Sequence, residues 1–565
     1  MTTLVARPER LRQAGQRHQS VAIAHFRLML LMLLFVGGVL AISARLTWLT
    51  VFSDGPAGRY NGGTLLPMRG DITDRNGVTL ARTIDAWSIG VHPAKLIGDK
   101  LTLARDLAKL MPERSELDYY RILTSKVTFT YLRRRAMPEL VSAVNALGEP
   151  GMAFAREPER LYPQTTLAAH VLGYTDFDGH GVSGMERVLD EQLTGSATRA
   201  KGVALSIDSR VQAALESELY AGLTKHSAIG AAGLVLDVNT GEVIAMASLP
   251  VFNPNAVGQS PADARRNNVT QSVYELGSIF KPLTVANGIE TGVITSMSKR
   301  YDASAPLQVG RFRISDFKGE NRPLNVPEIL VYSSNIGTAR IADEIGQERM
   351  AAFFKKVGFD TPPDIELREK GHPLWPTYWG RTTVMTVGYG HGIAVTPLHL
   401  ASAYAAMVNG GIWRPATLLK RDPDKIPAGR RVMAQSTSDR MRQLIRMVVL
   451  EGSGKNANAP GMRVGGKTGT AEKASHGGYA HKSLVSTFAS AFPMDKPRYV
   501  VIAMLDEPKP TADTYGYATA GWTAAPIARR LIPRIGPMLG VIPDESRDID
   551  VSDVMPLVKK MEGVH

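Results

Sequence analysis

The 565-residue chain contains no cysteine. This absence excludes disulfide bonds, a thiol nucleophile and any metal site built on thiolates. The chain has 12 histidines, but none of them stands in the His-Glu-x-x-His spacing, or a similar one, that holds a metal ion. We therefore interpret His391, His476 and His481 as polar, hydrogen-bonding residues, and we predict neither a metal site nor a cofactor.

Low-complexity tracts and internal repeats of fixed period are also missing, which argues against a solenoid or a repeat array. Hydrophobic residues make up 44% of the chain, enough for a sizeable core, so a disordered protein is not expected. At about 100–200 residues per domain, the length predicts two or three folded units.

The net charge is +13, and part of the excess lies in the N-terminal tail. The sequence has no zinc-finger spacing and no basic-aromatic repeat, which argues against nucleic acid as the partner. A basic tail beside an apolar segment favours contact with an anionic membrane surface. The arginines of this tail are Arg7, Arg10, Arg12, Arg17 and Arg27.

An uncharged apolar run covers residues 28–44, and a second apolar stretch follows Arg45 as far as Phe52. Because a spanning helix needs about 20 residues, we predict a transmembrane anchor at 28–52, with Trp48 in the outer interfacial belt. The tail at 1–27 is then cytoplasmic and the rest of the chain lies outside the membrane. A cleavable signal peptide is the alternative, with small residues at 41–43, but the run exceeds a typical apolar region of about 7–15 residues.

The remainder of the chain divides near residue 200. Residues 53–200 show mixed strand and helix patterns without a catalytic grouping, whereas 201–543 begin and end with strand patterns and are mostly helical between them. This order predicts an α/β (α+β) domain, in which helices flank a five-stranded antiparallel sheet. The polar residues 544–565 are expected to form a loose C-terminal tail. The predicted strands cover residues 233–238, 242–247, 462–472, 484–492 and 498–505, and the predicted closing helix covers 527–535.

One short stretch places a serine hydroxyl and a lysine amine three residues apart, at Ser278 and Lys281. On a helix, two such residues share a face, so the amine can take the hydroxyl proton. Gly277 permits a sharp turn before the serine, and Pro282 suits the first turn of a helix. The bare Ser-x-x-Lys pattern also occurs at 296–299 and 315–318, so it needs independent support.

Two further motifs supply that support. Ser333-Ser334-Asn335 lies 55 residues after Ser278, and residues 467–470, Lys-Thr-Gly-Thr, follow at the start of a predicted strand. The ordered triplet Ser-x-x-Lys, Ser-x-Asn and Lys-Thr-Gly is typical of penicillin-binding proteins and serine β-lactamases. In the two other Ser-x-x-Lys matches, the serine follows no glycine and opens no convincing helix.

Acyl transfer explains the residue types in these motifs. Ser278 is the predicted nucleophile, and a neutral Lys281 is its predicted general base, if burial and a nearby cation at Lys467 lower the pKa of Lys281. Ser333 can relay the proton to the leaving amine, and Asn335 can hold a substrate amide. The remaining predicted roles are a carboxylate site formed by Lys467 with Thr468 or Thr470, beside Gly469, and an oxyanion hole formed by the backbone N–H groups of Ser278 and Thr470.

The chain as a whole resembles a class B penicillin-binding protein, a monofunctional peptidoglycan transpeptidase. Residues 69–77, 160–163 and 184–186 resemble the motifs of that family's non-catalytic pedestal, a dimerisation-type domain, here 53–200. Residues 275–282 resemble its active-site segment, although Pro and Thr are commoner there than Leu276 and Ile279. The segments 467–473, 505–509 and 516–525 resemble the septal, cell-division type more than the elongation type.

This resemblance implies attack of the serine on the D-Ala–D-Ala end of one stem peptide, transfer of the acyl group to an amine of a neighbouring strand, and covalent inhibition by β-lactams. It also implies location at the division site of the inner membrane, with the catalytic domain in the periplasm. Because residues 53–200 are too short for a glycosyltransferase domain, the resemblance implies a membrane-embedded glycosyltransferase and other division proteins as partners.

Three alternatives stay open at this point. An elongation-type transpeptidase shares the three motifs. A β-lactamase-like hydrolase needs a base for deacylating water, and no Glu-x-x-Leu-Asn segment of the class A kind follows Asn335. A non-catalytic scaffold or β-lactam sensor is the third alternative, although a cytoplasmic tail of 27 residues is short for signalling machinery.

Overall fold

A computed structural model describes residues 25–45, 69–310, 312–475 and 478–559, without the side chains of Glu157 and of residues 474–482. It comprises two units, residues 1–65 and 66–565. Predictions that concern the distal part of the anchor, Trp48, His476 and His481 fall outside this description.

The first unit contains one described helix, α1 (His25–Arg45). Its 21 residues have a mean hydropathy of 2.3, enough by length and composition to cross a membrane. The predicted anchor at 28–52 overlaps this helix, which begins three residues earlier than expected.

The second unit begins with a mixed module that corresponds to the predicted pedestal. Its central strand, β2, pairs with β1, β3 and β4, and β1 pairs in parallel with β5, just after the predicted boundary at residue 200. Its strands are β1 (Ile72–Thr73), β2 (Thr79–Val91), β3 (Thr130–Ala136), β4 (Met152–Leu161) and β5 (Val203–Ala204). Its helices are α2 (Lys100–Leu110), α3 (Glu116–Thr124), α4 (Pro138–Asn145), α5 (Ala169–Leu172), α6 (Gly184–Val188) and α7 (Asp190–Thr194).

A buried ion network joins the three segments of the pedestal that resemble family motifs. Glu186 is fully buried and accepts hydrogen bonds from Arg69 Nε at 2.6 Å and from Arg160 Nε at 2.7 Å. Arg69 also bonds Asp190 at 2.6 Å, and Arg160 donates to the Gly70 carbonyl at 2.8 Å. Since buried charges are tolerated only when paired and hydrogen-bonded, this network fixes how the three segments meet.

The large domain is built on a five-stranded antiparallel sheet in the order β14-β15-β16-β6-β7, which confirms the predicted fold class. Each predicted sheet strand is present with bounds shifted by a few residues, and the predicted closing helix is longer than expected. The strands are β6 (Gly230–Asp237), β7 (Val243–Leu249), β14 (Gly465–Ser475), β15 (Gly478–Phe492) and β16 (Tyr499–Asp506), and the helices on one face include α8 (Ser209–Lys225) and α16 (Ala524–Met538).

The helical insertion between β7 and β14 carries two of the three motifs. Six two- or three-residue strands interrupt it, and its helices bury the other face of the sheet in the main hydrophobic cluster. Its helices are α9 (Lys281–Glu290), α10 (Val326–Val331), α11 (Asn335–Ile345), α12 (Gln347–Lys356), α13 (Arg381–Gly388), α14 (Pro397–Val408) and α15 (Gln435–Glu451). The short strands are β8 (Arg300–Tyr301), β9 (Leu307–Val309), β10 (Phe312–Ile314), β11 (Leu324–Asn325), β12 (Ile412–Trp413) and β13 (Arg430–Arg431).

The expectation of a loose C-terminal tail is wrong for residues 544–559. Val554 is fully buried, and Arg446 of α15 bonds Asp548 at 2.6 Å and 2.9 Å. The polar composition of this segment reflects ion pairs with the domain surface rather than exposure to solvent along its whole length.

Candidate active site

The Ser278 turn forms as the sequence predicts. A 3₁₀ turn over Gly277–Phe280 leads directly into α9, which begins at Lys281 and has Pro282 in its first turn. Gly277 has φ +59°, a left-handed conformation that glycine adopts without strain. Ser278 is partly exposed, whereas Lys281 is fully buried, so the serine is the one of the two that solvent can reach.

Strand β14 brings the Lys-Thr-Gly-Thr motif against this turn. A Cβ on Gly469 would lie 2.3 Å from Ile279 Cγ1 and 2.4 Å from the Leu276 carbonyl oxygen. Only a residue without a side chain permits this approach. β14 is the edge strand of the sheet, and an edge strand points alternate N–H and C=O groups away from its neighbour.

Ser333 lies between the two lysines. Its hydroxyl oxygen accepts a hydrogen bond from Lys467 Nζ at 2.9 Å and from Lys281 Nζ at 3.2 Å. Lys281 also donates to the Ser333 carbonyl oxygen. Ser333 has φ +59°, a conformation that costs a non-glycine residue about 1–3 kcal/mol, so its surroundings must hold it in place.

Burial sets the protonation of the two lysines, both of which have no exposed surface. Burial is the largest cause that lowers the pKa of Lys281 well below its ordinary value, and the charge of Lys467 is the second. The Asp316 carboxylate partly opposes this shift by raising the pKa. Burial also lowers the pKa of Lys467, to about 7. Burial therefore favours a neutral Lys281, and Lys467 carries its charge only up to about pH 7.

The threonines of the motif already have partners that orient their protons. Thr470 Oγ1 accepts from the Ala520 backbone N–H at 3.0 Å, so its own proton points elsewhere. The Thr468 hydroxyl shares a 2.7 Å hydrogen bond with the Ser453 hydroxyl, and Lys467 Nζ lies 3.4 Å from Ser453 Oγ. Ser453 therefore belongs to the site, although the sequence patterns did not single it out.

Asn335 stands at the start of α11 and is held from outside the motif. Its side-chain amide donates to the Ser315 carbonyl at 2.9 Å. The carboxylate of Asp316 accepts from Ser334 Oγ at 2.7 Å, from Ile336 N at 3.0 Å and from Asn335 N. Asp316 thus caps α11 and fixes the Ser-x-Asn motif.

Asp316 lies within 315–318, one of the two other Ser-x-x-Lys matches. This segment contacts the Ser-x-Asn motif through Asp316 and the Ser315 carbonyl. The other match has no such position, because Ser296 bonds Ser298 and Lys299 pairs with Glu344.

The three motifs that carry the predicted site residues meet where the Ser278 turn, Ser333 and β14 come together. His391 serves the hydrogen-bonding role predicted for it, with Nδ1 at 3.2 Å from Glu275 Oε2 beside the active-site turn. Among the described side chains, no group of three or more acidic or histidine residues is close enough to hold a metal ion. Within the described residues, no hydrogen bond joins the Ser278 hydroxyl to Lys281, so proton transfer requires the two groups to approach each other.

Comparisons with known proteins point to one family. The sequence model of the penicillin binding protein transpeptidase domain matches residues 231–532, and that of the penicillin-binding protein dimerisation domain matches 64–218. The chain is 39% identical over 559 residues to the probable peptidoglycan D,D-transpeptidase FtsI of Caulobacter vibrioides, covering 95% of this chain and 93% of the relative. It is 28% identical over 508 residues to the peptidoglycan D,D-transpeptidase FtsI of Escherichia coli K12, covering 84% of each.

A solved structure shares the fold. The crystal structure of penicillin binding protein 3 from Mycobacterium tuberculosis in complex with aztreonam matches with a TM-score of 0.67 and 26% identity. The match covers 85% of this chain and 97% of the other.

Proposed function

Because the chain belongs to the penicillin-binding protein transpeptidase family, we propose that it is a peptidoglycan D,D-transpeptidase that cross-links stem peptides during septal wall synthesis. The observation that carries this proposal is the chain of hydrogen bonds from Lys281 through Ser333 to Lys467 beneath a partly exposed serine. Such a site supplies a base, a proton relay and a cation without any metal.

In the acylation step, Ser278 Oγ attacks the carbonyl carbon of the penultimate D-alanine while its proton passes to neutral Lys281. The peptide C–N bond then breaks, and the proton reaches the leaving D-alanine nitrogen through the Ser333 hydroxyl. The protonated Lys467 and the hydroxyl of Thr470 bind the terminal carboxylate of the donor. In the second step, an amine of a neighbouring stem peptide attacks the ester carbonyl and gives a proton to Lys281. The ester C–O bond then breaks, and the Ser278 oxygen takes that proton back.

The oxyanion of the tetrahedral intermediate is assigned to the backbone N–H groups of Ser278 and Thr470. The close packing of Gly469 against the active-site turn supports this assignment, since it brings the two backbones together. Fixed donors at this position are worth about 2.7–4 kcal/mol each in comparable hydrolases. Asn335 is assigned to the donor amide.

The membrane assignments also belong to this proposal. Helix α1 is the single membrane anchor, the preceding residues are cytoplasmic, and the catalytic domain works in the periplasm at the division site. The apolar length of α1 supports a membrane span. A membrane-embedded glycosyltransferase supplies the glycan strands, and other division proteins are further partners.

The nucleophile is tested by labelling the full chain with a fluorescent penicillin and locating the adduct by mass spectrometry of its peptides. We expect one adduct, on Ser278, and complete loss of labelling in Ser278→Ala. Ser296→Ala is the matched control, because it removes the serine of another Ser-x-x-Lys segment and should label normally. An adduct on another residue, or labelling of Ser278→Ala, contradicts the assignment.

The septal role is tested in cells by depletion. Filamentation and midcell accumulation of the tagged chain are expected for a septal enzyme, whereas rounding and a lateral distribution would assign it to elongation. Full growth of cells that carry only Ser278→Ala would instead favour a scaffold.

A further inference from the structure

The C-terminal segment 541–559, here called the C-terminal strap, lies beyond residues 231–532, the part of the chain that matches the transpeptidase domain. It has its own buried residues, because Val541 is 4% exposed and Val554 is fully buried. Three further residues, Ile549, Val551 and Val558, pack against the main core. The strap is therefore attached along its length.

One face of α15 holds the strap by complementary charge and polarity. Arg446 forms a bidentate pair with Asp548, in which Nη2 donates to Oδ2 at 2.6 Å and Nε donates to Oδ1 at 3.2 Å. One turn earlier, Gln443 donates to the Asp550 carbonyl at 2.7 Å, and one turn earlier again Arg440 bonds Asp553. Residues three apart on a helix share a face, so these three contacts hold the strap along one face of α15.

The strap ends at α10 and contacts both ends of that short helix. At the start, the side-chain amide of Asn325, which caps α10, donates to the Leu557 carbonyl at 2.7 Å. At the end, the hydroxyl of Tyr332 donates to the Lys559 carbonyl. Glu328 accepts a hydrogen bond from the Asn325 backbone N–H at 3.1 Å and pairs with Arg322 at 2.9 Å. These contacts hold the first turn of α10 in place.

Ser333 follows Tyr332 directly. Both its carbonyl and its hydroxyl oxygen accept hydrogen bonds from Lys281, and its hydroxyl also faces Lys467. A displacement of Tyr332 is therefore passed straight to the group between the two lysines. A misplacement of about 1 Å at a reacting group can reduce a rate about 100-fold.

We propose that the C-terminal strap is a positioning element for Ser333, acting through Asn325 and Tyr332, and that its attachment sets the acylation rate of Ser278. The inference rests on the roles proposed above for Ser278 and Ser333. No residue of the strap or of α10 touches the reacting atoms, so the strap acts only through the position of Ser333.

The first test compares three lengths of the full membrane chain in detergent: the unaltered chain, one ending at Lys559 and one ending at Asp553. The chain ending at Lys559 keeps every strap contact named above and should acylate at the unaltered rate. The chain ending at Asp553 loses the contacts of Val554, Leu557 and Lys559. We expect its second-order acylation rate with fluorescent penicillin to fall about 10-fold or more.

Rates are measured per titrated active site and below the unfolding temperature of each variant, so that a loss of folded protein does not lower the measured acylation rate. A lower melting temperature with an unchanged rate per site would overturn the proposal, because the strap would then only stabilise the domain. If the unaltered chain shows no adduct on Ser278, the proposed function fails instead, so the two failures are distinguishable.

A second test uses Tyr332→Phe, which keeps the ring and removes only the hydroxyl that bonds Lys559. In the full-length chain, we expect this substitution to reduce the acylation rate several-fold. In the chain ending at Asp553 it should cause no further fall, because the partner carbonyl is already gone. Tyr220→Phe is the matched control, since Tyr220 is 63% exposed on α8 and lies outside the strap. Additive effects of Tyr332→Phe and the truncation would overturn the proposal.

Discussion

Asp316→Asn separates two effects of one carboxylate at the candidate site. Asp316 accepts hydrogen bonds from the Ser334 hydroxyl and from the backbone N–H groups of Asn335 and Ile336, which hold the Ser-x-Asn motif. Its negative charge also raises the pKa of Lys281, against the larger lowering by burial and by Lys467. Asparagine retains the shape of the side chain, removes the charge and turns one acceptor into a donor.

The expected loss follows from the hydrogen bonds. Bonds to a charged acceptor are worth about 1.5–3 kcal/mol and neutral ones about 0.5–1.5 kcal/mol, so three bonds that each lose about 1–1.5 kcal/mol reduce the hold on the motif by about 3–4.5 kcal/mol. If about 1–2 kcal/mol of that loss appears in the transition state, acylation by penicillin slows by about 5- to 30-fold near neutral pH.

The pH profile gives the second readout. Lys281 must be neutral to accept the Ser278 proton, so the rate rises as pH rises through the pKa of Lys281. Removal of the Asp316 charge lowers that pKa further. The acid limb, the part of the pH–rate profile in which the rate rises with pH, should therefore move to lower pH even while the maximum rate falls. The groups that act on Lys281 in this argument are Lys467 from β14 and Asp316 from the loop after β10.

The assay is stopped-flow or gel-based acylation of the full chain across the pH range, with Asp302→Asn as control. Asp302 is an exposed aspartate that bonds the Ser304 backbone N–H and faces Arg340, outside the cleft. An acid limb that moves to higher pH would refute the electrostatic reasoning. An unchanged rate and an unchanged limb would refute both roles of Asp316.

Two further predictions concern the pedestal and the second lysine. Glu186→Gln should lower the free energy of unfolding by about 3–5 kcal/mol, since it leaves the buried guanidinium group of Arg160 without a carboxylate and that of Arg69 with Asp190 alone. Urea unfolding followed by circular dichroism measures this change, and Glu116→Gln, in an exposed pair with Arg105 at 3.5 Å, should change it by less than about 1 kcal/mol. Acylation of the unaltered chain should decline as pH rises above about 7, because the buried Lys467 then loses its proton, and a constant rate from about pH 6 to 9 would contradict that role.

The reactive groups were predictable because each belongs to a short motif with a local signal. Ser278 and Lys281 share one turn, and Ser333 and Lys467 stand in motifs whose order is informative. The sequence also predicted five strands in two groups. It did not predict that β6 lies beside β16, because strand periodicity carries no information on which distant strands pair.

Asp316 and Ser453 had no such signal. Asp316 reaches α11 from a loop 18 residues before Ser334, and Ser453 reaches Lys467 from 14 residues before it. A single aspartate or serine in a polar loop is compatible with many positions, and only the tertiary fold selects one. For both residues, the predictive information lies in long-range packing rather than in local pattern.

The C-terminal strap shows a signal that was present and misinterpreted. Its polar composition indicated a loose tail, yet Asp548 and Asp553 pair with Arg446 and Arg440 on one face of α15, and Gln443 between them bonds the Asp550 carbonyl. Composition alone describes how many charges a segment has. The spacing of those charges against a helix face would have favoured attachment.

The burial of two lysines also bears on why the site has this form. A fall in the pKa of Lys467 from 10.5 to about 7 corresponds to roughly 5 kcal/mol of unfavourable free energy when the lysine is charged in the folded state. Because the folded pKa is the lower one, this cost is complete below about pH 7 and disappears as pH rises towards 10.5, so stability should increase over that interval. Ser333 adds the strain of its left-handed backbone, and neither feature stabilises the domain. The large apolar core offsets these costs, and what the domain gains is chemical: burial favours a neutral Lys281, and Lys467 beside it carries its charge up to about pH 7.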